Sequence, residues 1–566
     1  MRFGQTAGIH KSVALVVAVL LLAAACASDD DPGNTADPVV TIAPVSAASA
    51  DGLAAEVALS ESSSLVGHLV IDTDVMSVPG VTVVGLERTF SIPVATSSEH
   101  HELPVAGLRA DSDYTITVST SENSVDLSLR TGSLPDEFPS FDIAVSEPDQ
   151  MSAGFTIFNL IDNTNQFAEP DPANPPRDGY LVVVDHEGEI VWYLRTDHAI
   201  GDIRQDADGT LLHEYNDTGA RRIDLYGRTI EEWGGLIISG PLKLDAFGRQ
   251  VVGDDSIEVA TDAMHHELSA LPNGNLLTIS AERHIYEGFP AEGLCDEPDG
   301  IDGSYELISD VIVEFTPEGD IVAKYPLADY LDPVGDPRDQ NVCGLPLPQV
   351  FPNWLYWAQG FTDAKDWTHA NAVVLDPTGE YLTVSVRHLD AVLQIERATG
   401  DLMWRFGPDG DFAIDDAADY SYHQHAPEWQ DDGTLLIYDN GNGRPGTGIP
   451  DPDSGVLPPF TRAVQYELDP ASGSAEVVWE YTPEIDGRSI FAPFVGDADR
   501  LDNGNVLITN GGLGADREDG VTAQVLEVVP DSDGEGGETV FELHVAEPGK
   551  AFIVYRSERI ASFYPE

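Results

Sequence analysis

The sequence predicts an all-β chain in which a small N-terminal β-sandwich precedes a six-bladed β-propeller. The main evidence for the propeller is a hairpin of alternating apolar residues that often ends in tryptophan. It occurs six times, at residues 179–193, 221–233, 310–325, 391–404, 462–479 and 524–541. A glycine turn followed by two or three apolar residues precedes most of these hairpins. No helical period of 3.6 residues runs through this part of the chain. Repeated four-stranded antiparallel sheets are typical of a propeller.

The N-terminus predicts an export signal over residues 1–25. Arg2 and Lys11 accompany an apolar stretch, and small residues lead into Cys26. This pattern resembles a bacterial lipobox, so we expect Cys26 to be lipidated; the alternative is an ordinary cleaved signal with an incidental cysteine. Residues 26–46 are polar and predict a flexible tether. The protein is then exported, either anchored to the outer face of the membrane or free in the periplasm or outside the cell.

Residues 47–140 predict the β-sandwich. They contain short alternating stretches, and residues 108–114 resemble the tyrosine corner of fibronectin type III domains. A proline-containing linker follows near residues 134–139. The propeller is expected over residues 150–566, and its last strand, within 551–560, is predicted to close the ring against the first blade near Phe155.

Charge and cysteine content restrict the partners. The net charge is −70, from 98 acidic and 28 basic residues, which argues against nucleic acid because phosphates would be repelled. An anionic substrate would need a strong local positive site. Cys295 and Cys343 remain as one pair, and an exported compartment permits a disulfide between them.

Three histidines occupy matching places in three copies of the repeat. His266 lies eight residues before the turn glycine Gly274, and His425 lies eight before Gly433. His369 lies ten before Gly379, which is the same position if the longer turn holds two extra residues. The first strand of each blade lines the centre of a propeller, so we expect the three imidazoles to converge there.

Stretches around these histidines carry a family resemblance. The stretches are residues 264–267, residues 366–371 with Arg387 eighteen residues after His369, and residues 424–425 followed by 439–444. Together they resemble the bacterial arylsulfate sulfotransferase family, in which an N-terminal β domain is also expected. The similarity extends over most of the predicted propeller.

The resemblance implies transfer of a sulfuryl group from an aryl sulfate ester to a phenolic acceptor, without a nucleotide sulfate donor (PAPS-independent) or any other cofactor. It implies that His425 is the nucleophile and forms a sulfohistidine in a ping-pong cycle. Arg387 would bind the sulfuryl oxygens. His266 or His369 would protonate the departing phenolate, and the sequence leaves open which of them does so.

Further residues are candidates for substrate binding. An aromatic insertion precedes His369 and contains Phe351, Trp354, Tyr356, Trp357, Phe361 and Trp367. It forms either a wall that grips aryl rings or a plug packed on the propeller face. We expect Trp367 and Tyr356 to contact the substrate, together with Asn371. Arg444 either supports the site or braces its own loop.

One departure from the family pattern lies beside the nucleophile. Family members commonly have threonine and alanine after this histidine, whereas this chain has Ala426 and Pro427. Pro427 removes a backbone donor, which predicts altered acceptor choice or lower activity. His265 and His423 are expected to lie away from the reacting group.

Two other functions fit the same residues. The three histidines are also a zinc ligand set with an open fourth position, as in a metal-dependent hydrolase, although Arg387 beside them would oppose a cation. The other alternative is a non-catalytic ligand-binding propeller, for which the residues after His425 are the sequence hint.

Overall fold

The fold was analysed in a computed structural model. It describes residues 46–136, 138–162, 179–196, 200–215, 219–236, 255–287, 304–333, 365–448, 456–513, 517, 520–547 and 549–565. The elements there are β-strands and short 3-10 helices, the latter at Leu327–Asp329, Arg387–Leu389 and Ala417–Asp419. No helix in these ranges is long and apolar enough to span a membrane.

The N-terminal part of the described chain consists of two four-stranded antiparallel sheets, here called A and B. Sheet A has the order Ser46–Ala50, Leu53–Leu59, Gly67–Ser77, Ser98–Val105. Sheet B has the order Arg88–Ile92, Gly80–Gly85, Asp113–Ser119, Ser124–Arg130. Buried residues alternate with exposed ones along the strands, as in Ser124–Arg130, so one face of each sheet packs into a shared core. The predicted tyrosine corner is present, because the Arg109 amide donates to the Tyr114 hydroxyl at 2.8 Å.

Six further sheets, numbered 1 to 6, follow in chain order. Sheet 1 contains Ile190–Thr196, Gly179–Val184 and Phe155–Asp162, with Phe552–Ile553 and Ser557–Ile560 both paired to Phe155–Asp162. Sheet 2 contains Ile200–Gln205, Leu211–Tyr215, Gly219–Ile223, Thr229–Gly234 and Ile257–Glu258. Sheet 3 contains His265–Ala270, Leu276–Glu287, Ser304–Phe315 and Ile321–Pro326, with Lys365–Asp366 paired to Ser304–Phe315.

The remaining three sheets repeat this plan. Sheet 4 contains Ala370–Leu375, Tyr381–Val386, Ala391–Glu396 and Leu402–Phe406. Sheet 5 contains His425–Trp429, Leu435–Asp439, Arg462–Asp469 and Ser474–Tyr481. Sheet 6 contains Asp497–Arg500, Val506–Asn510, Ala523–Pro530, Gly537–Val545 and Phe141–Ser146. A separate two-stranded ribbon is formed by Glu484–Ile485 and Arg488–Ser489.

All six predicted hairpins are confirmed as neighbouring antiparallel strands, one in each of these sheets. The turn glycines also behave as predicted. Gly274 and Gly433 have φ values of 85° and 86°, a conformation that residues with a Cβ rarely adopt. The glycine turns therefore place the second strand of sheets 2 to 6 directly beside the first.

The first strands of sheets 2 to 6, together with Ser557–Ile560 of sheet 1, are here called the entry strands. From sheet 2 to sheet 6, each entry strand contacts the entry strand of the next sheet. Ser557–Ile560 contacts sheets 2 and 6. The entry strands thus lie together at the centre of the six sheets.

Both ends of this region are held by strands distant in sequence. Ser557–Ile560, here called the closing strand, pairs with sheet 1 from Phe155↔Ile560 to Phe158↔Ser557, which confirms the predicted contact of the last strand with the region near Phe155. Phe141–Ser146 was expected to lie between the two domains, but it pairs with Gly537–Val545 as the last strand of sheet 6. Residues 43–566 accordingly form one compact unit.

Candidate active site

The candidate site is built on irregular starts of the entry strands of sheets 3, 4 and 5. Strand pairing shifts between His265 and Leu268, between Ala370 and Ala372, and between His425 and Glu428. Beside these bulges the backbone of His266, His369 and Ala426 is left-handed, with φ values of 61°, 48° and 48°. An L-residue in this conformation costs about 1–2 kcal/mol, and such strain is concentrated at functional sites.

The register of the three histidines differs from the prediction by one residue. His265 pairs with Ile279 and His425 pairs with Tyr438, and both partners lie five residues after their turn glycines. His425 therefore corresponds in pairing to His265. The turn in sheet 4, closed by Asp376 N–H donating to Tyr381 O, is one residue longer than the turns of sheets 3 and 5. The second of the two extra residues is accommodated by the irregular pairing between Ala370 and Ala372.

The bulges nevertheless bring the predicted histidines together. The rings of His266 and His369 meet edge to face, with centroids 5.1 Å apart and an interplanar angle of 75°. Burial lowers the pKa of His266 well below its usual value, and positive charge on His265, His369 or His425 would lower it further. His266 is therefore held in the neutral form.

His425 is buried, with 2% of its surface exposed, and its tautomer is fixed by Asn440. The amide nitrogen of Asn440 donates to the carbonyls of Ala492 and Val495 at 2.8 and 2.9 Å. The amide oxygen of Asn440 must then face Nδ1 of His425, 2.6 Å away, and it can only accept. Nδ1 consequently carries the proton, and Nε2 presents a lone pair. Burial and, to a smaller extent, the charge of Arg387 lower the pKa of His425 well below its usual value.

His369 is paired with a carboxylate. Its Nδ1 lies 2.5 Å from Oδ2 of Asp366, which is 2% exposed. The His369 ring also stacks on His388, with centroids 4.5 Å apart, and burial lowers the pKa of His388 well below its usual value. A carboxylate at this distance accepts a hydrogen bond from Nδ1 and orients the ring of His369.

His266 has a different partner. Its Nδ1 lies 2.7 Å from Nδ1 of His265, and Nε2 of His265 lies 3.3 Å from Oδ1 of Asp310. The expectation that His265 lies away from the site is therefore wrong, because its fully buried ring contacts His266 directly. His423, by contrast, is held by Asp390 at 2.9 Å.

Arg387 supplies positive charge beside the imidazoles. It begins the 3-10 helix Arg387–Leu389, and its Nη2 donates to the carbonyl of Pro493 at 2.8 Å. Its buried Nε has no hydrogen-bond partner among the described residues. Burial lowers the pKa of Arg387 to about 10, so the guanidinium remains charged at neutral pH. Neutral imidazoles with a guanidinium suit a bound anion.

Sequence reasoning missed Arg556, which is 1% exposed. Its guanidinium pairs with Glu267 at 2.8 Å and Asp202 at 3.2 Å, and it donates to the Asn371 carbonyl at 3.0 Å. It thereby links sheets 1, 2, 3 and 4 behind the histidines. The sequence does contain a signal for it, because Asp202 and Glu267 both lie seven residues before their turn glycines. Two carboxylates at the same inward-facing position of the repeat need a buried cation to pair with.

Three of the residues predicted to contact or support the substrate site, Trp367, Asn371 and Arg444, are buried. Trp367 is fully buried in a hydrophobic cluster, and Asn371 is fully buried, with its amide donating to the Gln424 carbonyl at 2.7 Å. Arg444 is 2% exposed, pairs with Asp439 at 2.7 Å, and lies 4.6 Å from the Phe460 ring centroid. These placements are those of packing and bracing residues, so substrate contact by them stays a prediction.

Other predicted residues lie outside the described ranges. These residues are Cys26, Cys295, Cys343 and Tyr356, with the rest of the aromatic insertion before Trp367. Lipidation, the disulfide and the aromatic wall remain predictions from the sequence.

The backbone hydrogen-bond donor that Pro427 lacks is one that sheet 5 does not use. In sheet 5 the pairs on either side of the bulge are His425 with Tyr438 and Glu428 with Leu436, which leaves Ala426 and Pro427 unpaired. A bulged residue makes no ladder hydrogen bond. Proline at this place therefore removes none from the sheet.

Comparison with known proteins agrees with the sequence motifs. A family model described as Arylsulfotransferase (ASST) matches residues 145–556. The arylsulfate sulfotransferase AssT of Escherichia coli O6:H1 is 23% identical over 377 residues, which are 59% of this chain and 57% of that protein. The protein of the same name from Lelliottia amnigena is 22% identical over 504 residues, which are 75% of this chain and 78% of that protein.

A solved structure from Bacteroides caccae, of a protein of unknown function, is 15% identical and covers 72% of this chain and 99% of its own. Its TM-score of 0.36 is too low to bear on function. The family model, in contrast, matches most of the sequence. The chain belongs to the arylsulfotransferase family.

Proposed function

We propose that this protein transfers a sulfuryl group from an aryl sulfate ester to a phenolic acceptor in a ping-pong cycle through a sulfohistidine at His425. The observation that carries the proposal is the Asn440 amide, which holds the proton on Nδ1 of His425. The Nε2 lone pair of a buried, neutral imidazole is then available as a nucleophile.

In the first half-reaction, Nε2 of His425 attacks sulfur and the bond from sulfur to the aryl oxygen breaks. The leaving phenoxide takes a proton from His369, whose imidazolium is stabilised by Asp366. In the second half-reaction, neutral His369 removes the proton of the acceptor phenol while the phenol oxygen attacks sulfur. The bond between Nε2 and sulfur breaks, and both histidines return to their starting states.

Arg387 supports binding of the anionic group. Negative charge is spread over the sulfuryl oxygens as the group is transferred, so fixed donors favour the transition state. The guanidinium remains charged with its pKa at about 10. It supplies the local positive site that a chain of net charge −70 requires.

We further propose that sheets 1 to 6 are the blades of one closed propeller. Contacts among the entry strands and the pairing of Ser557–Ile560 with sheet 1 support this arrangement. The imidazoles then lie at one end of its central axis. The N-terminal sheets A and B form a β-sandwich that precedes the ring in the chain and belongs to the same compact unit.

The test is turnover of p-nitrophenyl sulfate with phenol as acceptor. We expect phenol-dependent release of nitrophenol, and a fall of about 10⁴-fold or more for His425→Ala. His100→Ala, in the exposed part of sheet A, is the matched control and should retain full activity. After incubation with donor alone, intact mass spectrometry should show one added SO₃ group on the wild type and none on His425→Ala. Equal rates in both proteins would exclude His425 as the nucleophile.

A metal-dependent hydrolase is the second candidate, because one observation favours it. Ligand atoms of Asp366, His369 and His388 lie within 4.8 Å of one another, a different set from the three histidines suggested by the sequence. This function predicts nitrophenol release into water without phenol, and loss of that release after dialysis against a chelator.

A further inference from the structure

A cavity of about 230 Å³ lies among the entry strands, directly beside the candidate active site. It is lined by Glu267, which follows His266, and by Ala426 and Pro427, which follow His425. On two of the strands, a residue that lines the cavity thus directly follows a histidine of the candidate site. Nothing in the proposed sulfuryl transfer uses this cavity.

Three carboxylates converge on the cavity. Asp497 and Asp499 belong to the entry strand of sheet 6, and Glu558 belongs to the closing strand of sheet 1. One oxygen of each lies within 4.8 Å of the other two. All three line the cavity, so the cluster bridges the first and last of the six sheets.

Two of these carboxylates lack a counter-charge. Asp497 is 3% exposed, and its side chain accepts a hydrogen bond from the adjoining Ala498 amide at 3.0 Å. Asp499 has one fully buried oxygen without a hydrogen-bond partner. Within the described ranges no arginine, lysine or histidine forms an ion pair with either residue. A buried carboxylate without a partner carries a large desolvation cost.

Four arginines line the cavity, and none of them forms an ion pair with Asp497 or Asp499 among the described residues. Arg559 pairs with Glu527 at 2.6 Å, and Arg500 donates to Gln430 and Gln465 at 3.2 and 2.6 Å. Arg204 pairs with Glu267 at 2.8 Å and with Glu558 at 3.2 Å. Arg556 pairs with Glu267 and Asp202. Of the three clustered carboxylates, only Glu558 therefore has a cation of its own.

We propose that Asp497, Asp499 and Glu558 bind one Ca²⁺ ion, which joins the closing strand of sheet 1 to the entry strand of sheet 6. An all-oxygen ligand set favours Ca²⁺ over zinc, which prefers nitrogen and sulfur. Ca²⁺ takes six to eight oxygen ligands in flexible geometry, whereas Mg²⁺ demands an octahedron. The cavity has room for the water ligands that three carboxylates leave to be supplied. The ion stabilises the fold by binding only the folded chain.

Calorimetric titration of the chelator-treated protein with CaCl₂ is the direct test. We expect one Ca²⁺ per chain. Saturating Ca²⁺ should raise Tm by a few degrees. Absence of a binding heat in the wild type would overturn the proposal.

The matched variants are Asp497→Asn with Asp499→Asn, and Asp533→Asn in an exposed turn of sheet 6. The double variant should lose both the binding heat and the Tm shift, whereas the control variant should keep them. An unchanged Ca²⁺ response in the double variant would overturn the assignment. If the double variant does not fold, Asp499→Asn alone takes its place and should bind Ca²⁺ more weakly than the wild type; an unchanged binding constant would overturn the assignment. The readouts are binding and stability, so the result is independent of sulfuryl transfer.

Discussion

The imidazole cluster of the candidate active site (His266, His369 and His425) and the carboxylate cluster of the cavity (Asp497, Asp499 and Glu558) are both buried among the entry strands, but their polar atoms are satisfied differently. At the first cluster each imidazole has a defined partner, as His425 has in Asn440 at 2.6 Å. At the second, Asp497 and Asp499 form no ion pair within the described part of the chain.

Burial acts on the two clusters in opposite senses. Removal of water disfavours the charged form, so it lowers the pKa of His425 and raises the pKa of Asp497. Both shifts favour the uncharged form. For His425 this form is the nucleophile, while for Asp497 it reflects a buried carboxyl without a paired cation. The same fold position thus serves nucleophilic chemistry or ion binding, depending on the residue type.

Loss of the Asn440 oxygen should have the largest effect. Asn440→Leu removes the acceptor that fixes the His425 tautomer, so we expect sulfohistidine formation to slow by about 10²–10³-fold. The measurement is the rate of the nitrophenol burst after rapid mixing, with KM for the donor little changed. Wild-type burst kinetics in this variant would show that the tautomer is set by other contacts.

Removal of the Asp366 charge should have a smaller effect that depends on the leaving group. Asp366→Asn keeps an oxygen for His369 but stabilises its imidazolium less, so we expect about a 10²-fold loss with phenyl sulfate. The loss should be smaller with p-nitrophenyl sulfate, whose phenolate needs less protonation. Asp390→Asn, beside His423, is the control. Equal losses for both donors would argue against His369 as the proton donor.

The opposed pKa shifts predict opposed effects of pH on stability. Because the pKa of His266 and His425 lies below 6.5 in the folded chain, the unfolded chain binds more protons there, and the free energy of unfolding falls as pH drops through about 6.5. Asp497 has a folded pKa of about 8 against 3.8 when unfolded, so its contribution is lost as pH rises from about 3.8 through 8.

Asp497→Asn should therefore reduce the loss of stability toward pH 8, to which Asp499 also contributes because burial raises its pKa, and leave the loss toward acid pH unchanged. Urea unfolding between pH 5 and 9 in chelator-containing buffer measures both limbs. Identical pH profiles for the variant and the wild type would show that Asp497 does not titrate as described.

The smallest effect is expected at Pro427. It lies in the bulge of sheet 5, outside the paired residues, so Pro427→Ala should change the free energy of unfolding by about 0.5 kcal/mol or less. Phenol-dependent turnover should stay within about threefold of the wild type. A large gain in activity would instead support the sequence-based view that Pro427 impairs this family member.

Local patterns allowed the hairpins, the glycine turns and the histidine-arginine set to be predicted. The remaining features depend on contacts between distant segments. The sequence placed Phe141–Ser146 in neither domain, because its partner strand lies almost 400 residues later. Asn440 and Arg556 are polar residues whose roles depend on which backbone carbonyls and acids face them. The one-residue offset of His425 arises from a bulge, and bulges have no signal in apolar alternation.

The exchange of strands between the two ends of the chain has a consequence for biosynthesis. Sheet 6 needs Phe141–Ser146, and sheet 1 needs Ser557–Ile560, which is made about 400 residues later. Until Ser557–Ile560 leaves the ribosome, that part of sheet 1 has no partner, and Phe141–Ser146 has none until sheet 6 has been made. A chain truncated before residue 557 would expose that edge to other chains, so aggregation and proteolysis are the expected fates of incomplete products.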